Sequence, residues 1–156
     1  GKEKVGSGRV FIWSRTLPLL KSRMIYGSGP DTFSLEFPQY DHIGKLKTFH
    51  NTEIIVDKPH NMYLQIAVNT GIISLVVFVI GLFIYLLDGI VAYRGLEKVS
   101  VEAFLWLGIL AYHATAMFND SLVSVAPIAW ICFGISSGII YSNREEEKSL
   151  NTKEID

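Results

Sequence analysis

Three long stretches of this sequence carry no charge: residues 61–87, 103–119 and 121–143 contain no Asp, Glu, Lys or Arg. A bilayer core takes roughly 20 apolar residues per helix. Three such runs in succession, two of them joined only by Asn119, Asp120 and Ser121, leave no amphipathic shell to cover them in water. The single cysteine, Cys132, excludes a disulfide within the chain and reads as a packed apolar residue of the third run. There is no paired-cysteine site, no His-Glu-x-x-His, no Asp-x-Asp, no P-loop and no Gly-x-Ser-x-Gly elbow. Any chemistry is therefore expected to rest on a general base and cationic groups, with no metal and no cofactor. Met is missing at position 1, and so is a short, positively charged apolar leader. The chain is accordingly expected to be the carboxy-terminal part of something longer.

What is present fits a membrane protein. Of 156 residues, 49% are hydrophobic and the mean hydropathy is +0.31, well toward the membrane side. The expected fold is all-α and integral to the membrane, part of a larger multi-pass bundle. Residues 1–59 form a long extracytoplasmic segment with short interfacial helices, and residues 60–142 hold three transmembrane helices at about 60–87, 101–118 and 121–141. Residues 143–156 form a cytoplasmic tail. In the first segment Val10, Phe11, Trp13, Leu17, Leu19 and Leu20 recur at roughly helical intervals, interrupted by Pro18 and interspersed with Arg9, Arg15, Lys21 and Arg23. That pattern suits a helix lying in the bilayer surface, and a short surface helix fits it as well. Gly27, Ser28, Gly29 and Pro30 predict a tight turn. Phe33, Leu35, Phe37 and Tyr40 predict extended or irregular chain, and Thr52–Val56 a short strand.

Orientation follows from the cations. Arg94 and Lys98 lie between the first two apolar runs, Arg144, Lys148 and Lys153 follow the third, and residues 119–121 have none. Positive charge marks the cytoplasmic side for short loops, which puts residues 119–121 and the long first segment outside. That segment carries nine basic and six acidic residues, so an anionic partner there is expected, either membrane lipid headgroups or a specific ligand. No groove-reading or base-stacking motif accompanies the cations, and nucleic acid is excluded as a partner.

The polar entry to the first apolar run is the place for chemistry. Lys58-Pro59 predicts a helix start with Pro59 at its first position, which puts His60 in the first turn, with Asn61, Gln65 and Asn69 following at near-helical spacing. His113, inside the second run, suits either a helix–helix hydrogen bond or a functional role. Gly71, Gly81, Gly108, Gly134 and Gly138 are expected to permit close helix packing.

Three stretches carry a resemblance: Ser7-Gly8-Arg9 followed by Trp13, the turn from Tyr26 to Phe33, and His60-Asn61 followed by nine residues and then Gly71. In this order and spacing they resemble the O-antigen ligase and polymerase superfamily of bacterial membrane glycosyltransferases, over most of the chain up to about Tyr141. The motif's last place, held by Gly, Thr or Tyr in the family, is Ser74 here, which leaves ligase and polymerase both open. Asn119-Asp120 matches a recurrent pair near the last external turn. The resemblance implies a polysaccharide-building enzyme of the cell envelope, multi-pass in the bacterial inner membrane, with an extracytoplasmic active site. The donor would be a glycan on a polyprenyl diphosphate such as undecaprenyl diphosphate, and the acceptor a sugar hydroxyl on a lipid- or glycan-linked partner. On this reading His60 accepts or orients the acceptor hydroxyl, and Arg9 meets the departing diphosphate, with Arg15 and Arg23 in reserve. Asn61 and Gln65 position sugars or the imidazole. A non-catalytic scaffold or transporter subunit is the alternative of a different class.

Overall fold

The computed structural model describes residues 6–94 and 100–153. Among these the chain is helical throughout, without a strand: α1 (Arg9–Ser22), α2 (Phe33–Glu36), α3 (His42–Phe49), α4 (Met62–Thr70), α5 (Ile72–Tyr93), α6 (Val101–Thr115) and α7 (Ala126–Lys153). Contacts divide the chain into two units, residues 1–78 with 116–120 and residues 79–115 with 121–156. Lys2, Glu3, Lys4 and Lys98, which entered the charge argument, lie outside the described residues.

The first unit has an aromatic core. Phe11 and Ile12 of α1 are buried with Phe33, Phe37, Val56 and Val68, and Phe11 meets Phe49 edge-on at 5.7 Å between ring centres. Full burial of each such ring is worth roughly 2 kcal/mol. This corrects the expectation of an apolar α1 face lying in the bilayer: its Phe11 face is spent on a core. Helix α1 continues through Pro18 to Ser22. Its start depends on Gly8, which sits at φ 84° where a side chain would run into the Phe49 ring. The glycine of Ser7-Gly8-Arg9 thus allows α1 to begin against α3 and makes Arg9 its first residue.

Two further expectations fail for a common reason. The segment read as extended, Phe33 to Tyr40, contains the single turn α2, and the polar stretch after it contains α3. The strand expected at Thr52–Val56 has no neighbouring strand to pair with. Gln39 takes that place, its Nε2 donating to the Val56 carbonyl at 2.8 Å and its Oε1 accepting from the Val56 N–H at 3.2 Å. The same Oε1 accepts from the buried Lys45 ammonium at 3.0 Å. One side-chain amide supplies at Val56 what a ladder would, pairing both of its backbone groups without a sheet.

Asp41 joins α3 to α1. Its Oδ1 accepts from the Gly44 N–H at 2.8 Å as the α3 N-cap, and its Oδ2 accepts from Arg15 Nε and Nη2 at 3.1 and 2.9 Å. The Gly44 N–H holds the Asp41 carboxyl below its ordinary value of 3.8; desolvation opposes this, and Arg15 adds to it. A depressed carboxyl contributes stability that is present above the unfolded value and lost as pH falls through the folded one. Amide protection in α3 is therefore expected to fall on acidification below about pH 4. In Asp41→Asn, which retains a capping oxygen but cannot ionise, hydrogen exchange should show that component of the pH dependence gone.

In the second unit, Tyr85, Trp106, Ile109 and Ile140 form the buried cluster. The Tyr85 hydroxyl is 2.7 Å from Ser136 Oγ, and Arg144 pairs with Asp88. Close packing at glycine occurs at Gly89, where a methyl group would meet the Trp106 indole, whereas Gly81, Gly108, Gly134 and Gly138 face open space. The packing role expected of those four is not one they have among the described residues. His113 Nδ1 bonds the Ile109 carbonyl of its own helix at 2.9 Å, and its ring lies 5.9 Å from that of Trp130 and 6.2 Å from that of Phe133 in α7.

Among the described residues one helix, α5, is long and apolar enough to cross a membrane, with 22 residues and a mean hydropathy of 2.6 over its best window. Helix α6 is apolar but shorter. The continuous helix expected over 60–87 is instead α4 and α5, separated at Gly71. The end of α4 and the start of α5 leave backbone groups without helical partners, and the turn around Gly27 supplies them. The Ser28 N–H donates to the Val68 carbonyl at 2.7 Å and the Gly29 N–H to the Asn69 carbonyl at 3.0 Å, while the Ile72 N–H donates to the Met24 carbonyl at 2.8 Å. Ser74 Oγ donates to the Thr70 carbonyl at 3.0 Å.

Candidate functional site

The approach to α4 differs from the expected helix start. Pro59 is buried and precedes the helix rather than opening it. Asn61 is the N-cap, its side-chain oxygen accepting from the Leu64 N–H at 3.0 Å. His60 therefore stands one residue outside the helix, at φ 50°. A left-handed backbone is uncommon for a residue with a side chain and is sustained only where the surroundings fix it.

Those surroundings come from two distant parts of the first unit. Trp13 Nε1 of α1 donates to the Pro59 carbonyl at 2.8 Å, and its ring lies 6.2 Å from that of Phe118. The Met62 N–H, one of the orphan donors of the α4 start, is shared between the carbonyls of Ala116 and Asn119 at 2.9 and 3.1 Å. These bonds clamp the His60 turn between α1 and residues 116–120.

The clamp sets His60 Nδ1 2.6 Å from Asp120 Oδ2. A carboxylate can only accept, so Nδ1 carries the hydrogen, and the neutral ring then presents its lone pair at Nε2. The imidazole side chain is 45% exposed and the carboxylate only 10%, so the imidazole faces outward and the carboxylate inward. Asp120 Oδ1 is buried without a hydrogen-bond partner. In the sequence alone Asp120 is marked only as half of the Asn119-Asp120 match. No local signal pairs residues 60 positions apart.

The other anticipated residues are placed as follows. Arg9, the first residue of α1, lies one turn before Trp13 on the same helix face. Its Nη1 donates to the Gly6 carbonyl at 3.3 Å, and its buried Nε has no partner. Arg15 is held by Asp41 and stacks over Phe11 at 4.4 Å, and Arg23 pairs with Glu36 at 3.1 Å. Gln65 lies one turn past the N-cap, its side-chain oxygen buried and unpartnered, as is that of Asn69. Among the described residues no three His, Cys, Asp or Glu side chains converge as metal ligands.

The family model described as O-Antigen ligase matches residues 1–79, which is just over half of the chain and includes α1, His60, Asn61 and Gly71. The chain belongs to the O-antigen ligase family. Members are membrane proteins with ligase- or polymerase-like glycosyltransferase activity on lipid-linked glycans, and α5 supplies a span consistent with that setting. No curated protein and no solved structure matched this O-antigen ligase family chain.

Proposed function

We propose that this chain carries the catalytic base of a bacterial inner-membrane glycosyltransferase that moves a glycan from a polyprenyl diphosphate to a sugar hydroxyl at the outer face. The observation that supports it is the His60–Asp120 pair at 2.6 Å, assembled from the family's His-Asn motif and a turn 60 residues away. In the reaction, the acceptor oxygen bonds to the anomeric carbon and its proton passes to His60 Nε2. The bond from that carbon to the diphosphate oxygen breaks, and its electron pair leaves with the diphosphate. Asp120 holds the ring in the accepting tautomer and balances the imidazolium that forms.

The growing negative charge on the leaving diphosphate is met by Arg9. A guanidinium can offer two parallel donors to phosphate oxygens, and Arg9 is the first residue of α1, at the helix end whose dipole favours an anion. Gln65 offers its side-chain amide to sugar hydroxyls one turn from His60. Three spans, with residues 119–121 outside and residues 143–156 in the cytoplasm, put these groups on the face where the donor is presented. The uncharged first half of α7 and the apolar α6 support that count.

The test is glycan transfer in cells that depend on this protein for it, at matched membrane abundance. Arg9→Lys, which keeps the charge but loses the planar fork, is expected to cut product about tenfold while lipid-linked donor accumulates. Unchanged product would remove Arg9 from the reaction. Failure of the unaltered protein to consume donor would remove the reading altogether. Product length separates single transfer of finished chains from stepwise extension.

A further inference from the structure

Three consecutive large apolar side chains stand exposed after α1: Met24, Ile25 and Tyr26, at 48%, 56% and 86%. Scattered exposed apolar residues are ordinary, but a run of three is not, and it marks a surface that meets something other than water. The run is not a loose loop. The Gly27 N–H bonds back to the Arg23 carbonyl at 2.9 Å, the Met24 carbonyl accepts from Ile72, and Ser28 and Gly29 bond the last carbonyls of α4. The backbone of Ile25 lies against Gly71 so closely that a methyl group there would collide with its carbonyl oxygen. The run is therefore fixed beside Gly71-Ile72, and Ile72 is the first residue of the candidate span α5. All of these residues belong to the first unit.

That position decides the occupant. The first turn of a membrane span lies at the boundary between headgroups and acyl chains, and side chains tied to its backbone share that depth. The opening of about 490 Å³ beside the run is lined by Lys21, Ser22 and Arg23 on one side and by Met24, Ile25, Tyr26 and Gly27 on the other. Cations next to an aromatic and two aliphatic side chains are the chemistry of a phospholipid surface: phosphates at the cations, acyl chains at the apolar groups, and a tyrosine whose hydroxyl stays at the wet boundary.

We propose that Met24, Ile25 and Tyr26 insert into the bilayer surface beside the start of α5, with Lys21 at the lipid phosphates. The wedge fixes the height of the α4–α5 break, and with it the height of α4, relative to the membrane. It stands apart from the transfer reaction and requires only that α5 crosses the bilayer.

The experiment places a nitroxide spin label at Ile25→Cys in the full chain carrying Cys132→Ser, reconstituted in nanodiscs of phosphatidylethanolamine and phosphatidylglycerol. Collision with oxygen, which concentrates in lipid, is compared with collision with a water-soluble nickel chelate. Labels at Ile73→Cys and Glu53→Cys serve as references for lipid and water. The label at Ile25 is expected to favour oxygen as Ile73 does, at a depth of about 5–10 Å below the phosphates. Nickel accessibility equal to that at Glu53 would overturn the insertion. Low accessibility to both reagents would overturn it too, because the run would then be covered by protein.

Discussion

Asp120→Asn is expected to slow glycan transfer by roughly 100-fold or more, although the carboxylate need not touch substrate. The carboxylate accepts the Nδ1 hydrogen of His60 and can offer nothing else. A carboxamide can donate as well as accept, so the ring can turn its lone pair toward residue 120 and present a hydrogen, not a base, at Nε2. The amide also leaves the imidazolium of the transition state without the counter-charge that the inward-facing Asp120 carboxylate, 10% exposed, supplies. His60→Ala is expected to be at least as slow, and the double variant no slower than His60→Ala alone, because groups acting as a unit do not add. Rates are read from donor consumption at matched abundance. Additive losses would mean that Asp120 contributes independently of the His60 ring. Full activity in Asp120→Asn would remove the pair from the chemistry.

The sequence carried the class of the fold and one half of this pair. Uncharged runs announce helices, of which α5 reaches membrane length, and the His-Asn motif points at residue 60 directly. Asp120 was legible only as part of a short polar turn, because its meaning lies in a contact between residues 60 and 120 that no periodicity encodes. The α1 face misled for a related reason. Phe11 and Trp13 fit a bilayer surface by spacing, but α2, α3 and Val56 bring enough apolar groups to bury Phe11 in protein. Arg15 and Arg23 looked like spare anion binders until Asp41 and Glu36 arrived from other elements. Opposite charges far apart in sequence can cancel a site that composition suggests. The turn at Gly27 was read correctly as a turn, yet its work, supplying hydrogen-bond partners to two broken helix ends, depends on a break that an unbroken apolar pattern conceals.

That break makes Gly71→Ala a strongly damaging substitution. Gly71 has φ 91° and ψ 167°, a region open in practice only to glycine and costing other residues about 1–3 kcal/mol. Relaxation is barred, because the added methyl meets the carbonyl oxygen of Ile25, whose neighbour Met24 is bonded to Ile72. Moving the Met24–Gly29 turn away would strand the carbonyls of Val68 and Asn69 and the Ile72 N–H, and unpaired backbone groups at a membrane boundary are costly. The loss is therefore expected at about 3 kcal/mol or more, read as a fall in membrane abundance and in the heat needed to aggregate the detergent-solubilised protein. Gly81→Ala is the control: its Cβ position has nothing within 4 Å, and a helix interior favours alanine. It should leave both measures unchanged or slightly raised. Equal behaviour of the two variants would mean that α4 and α5 join without the strained residue, and that Met24 to Gly29 need not cap them.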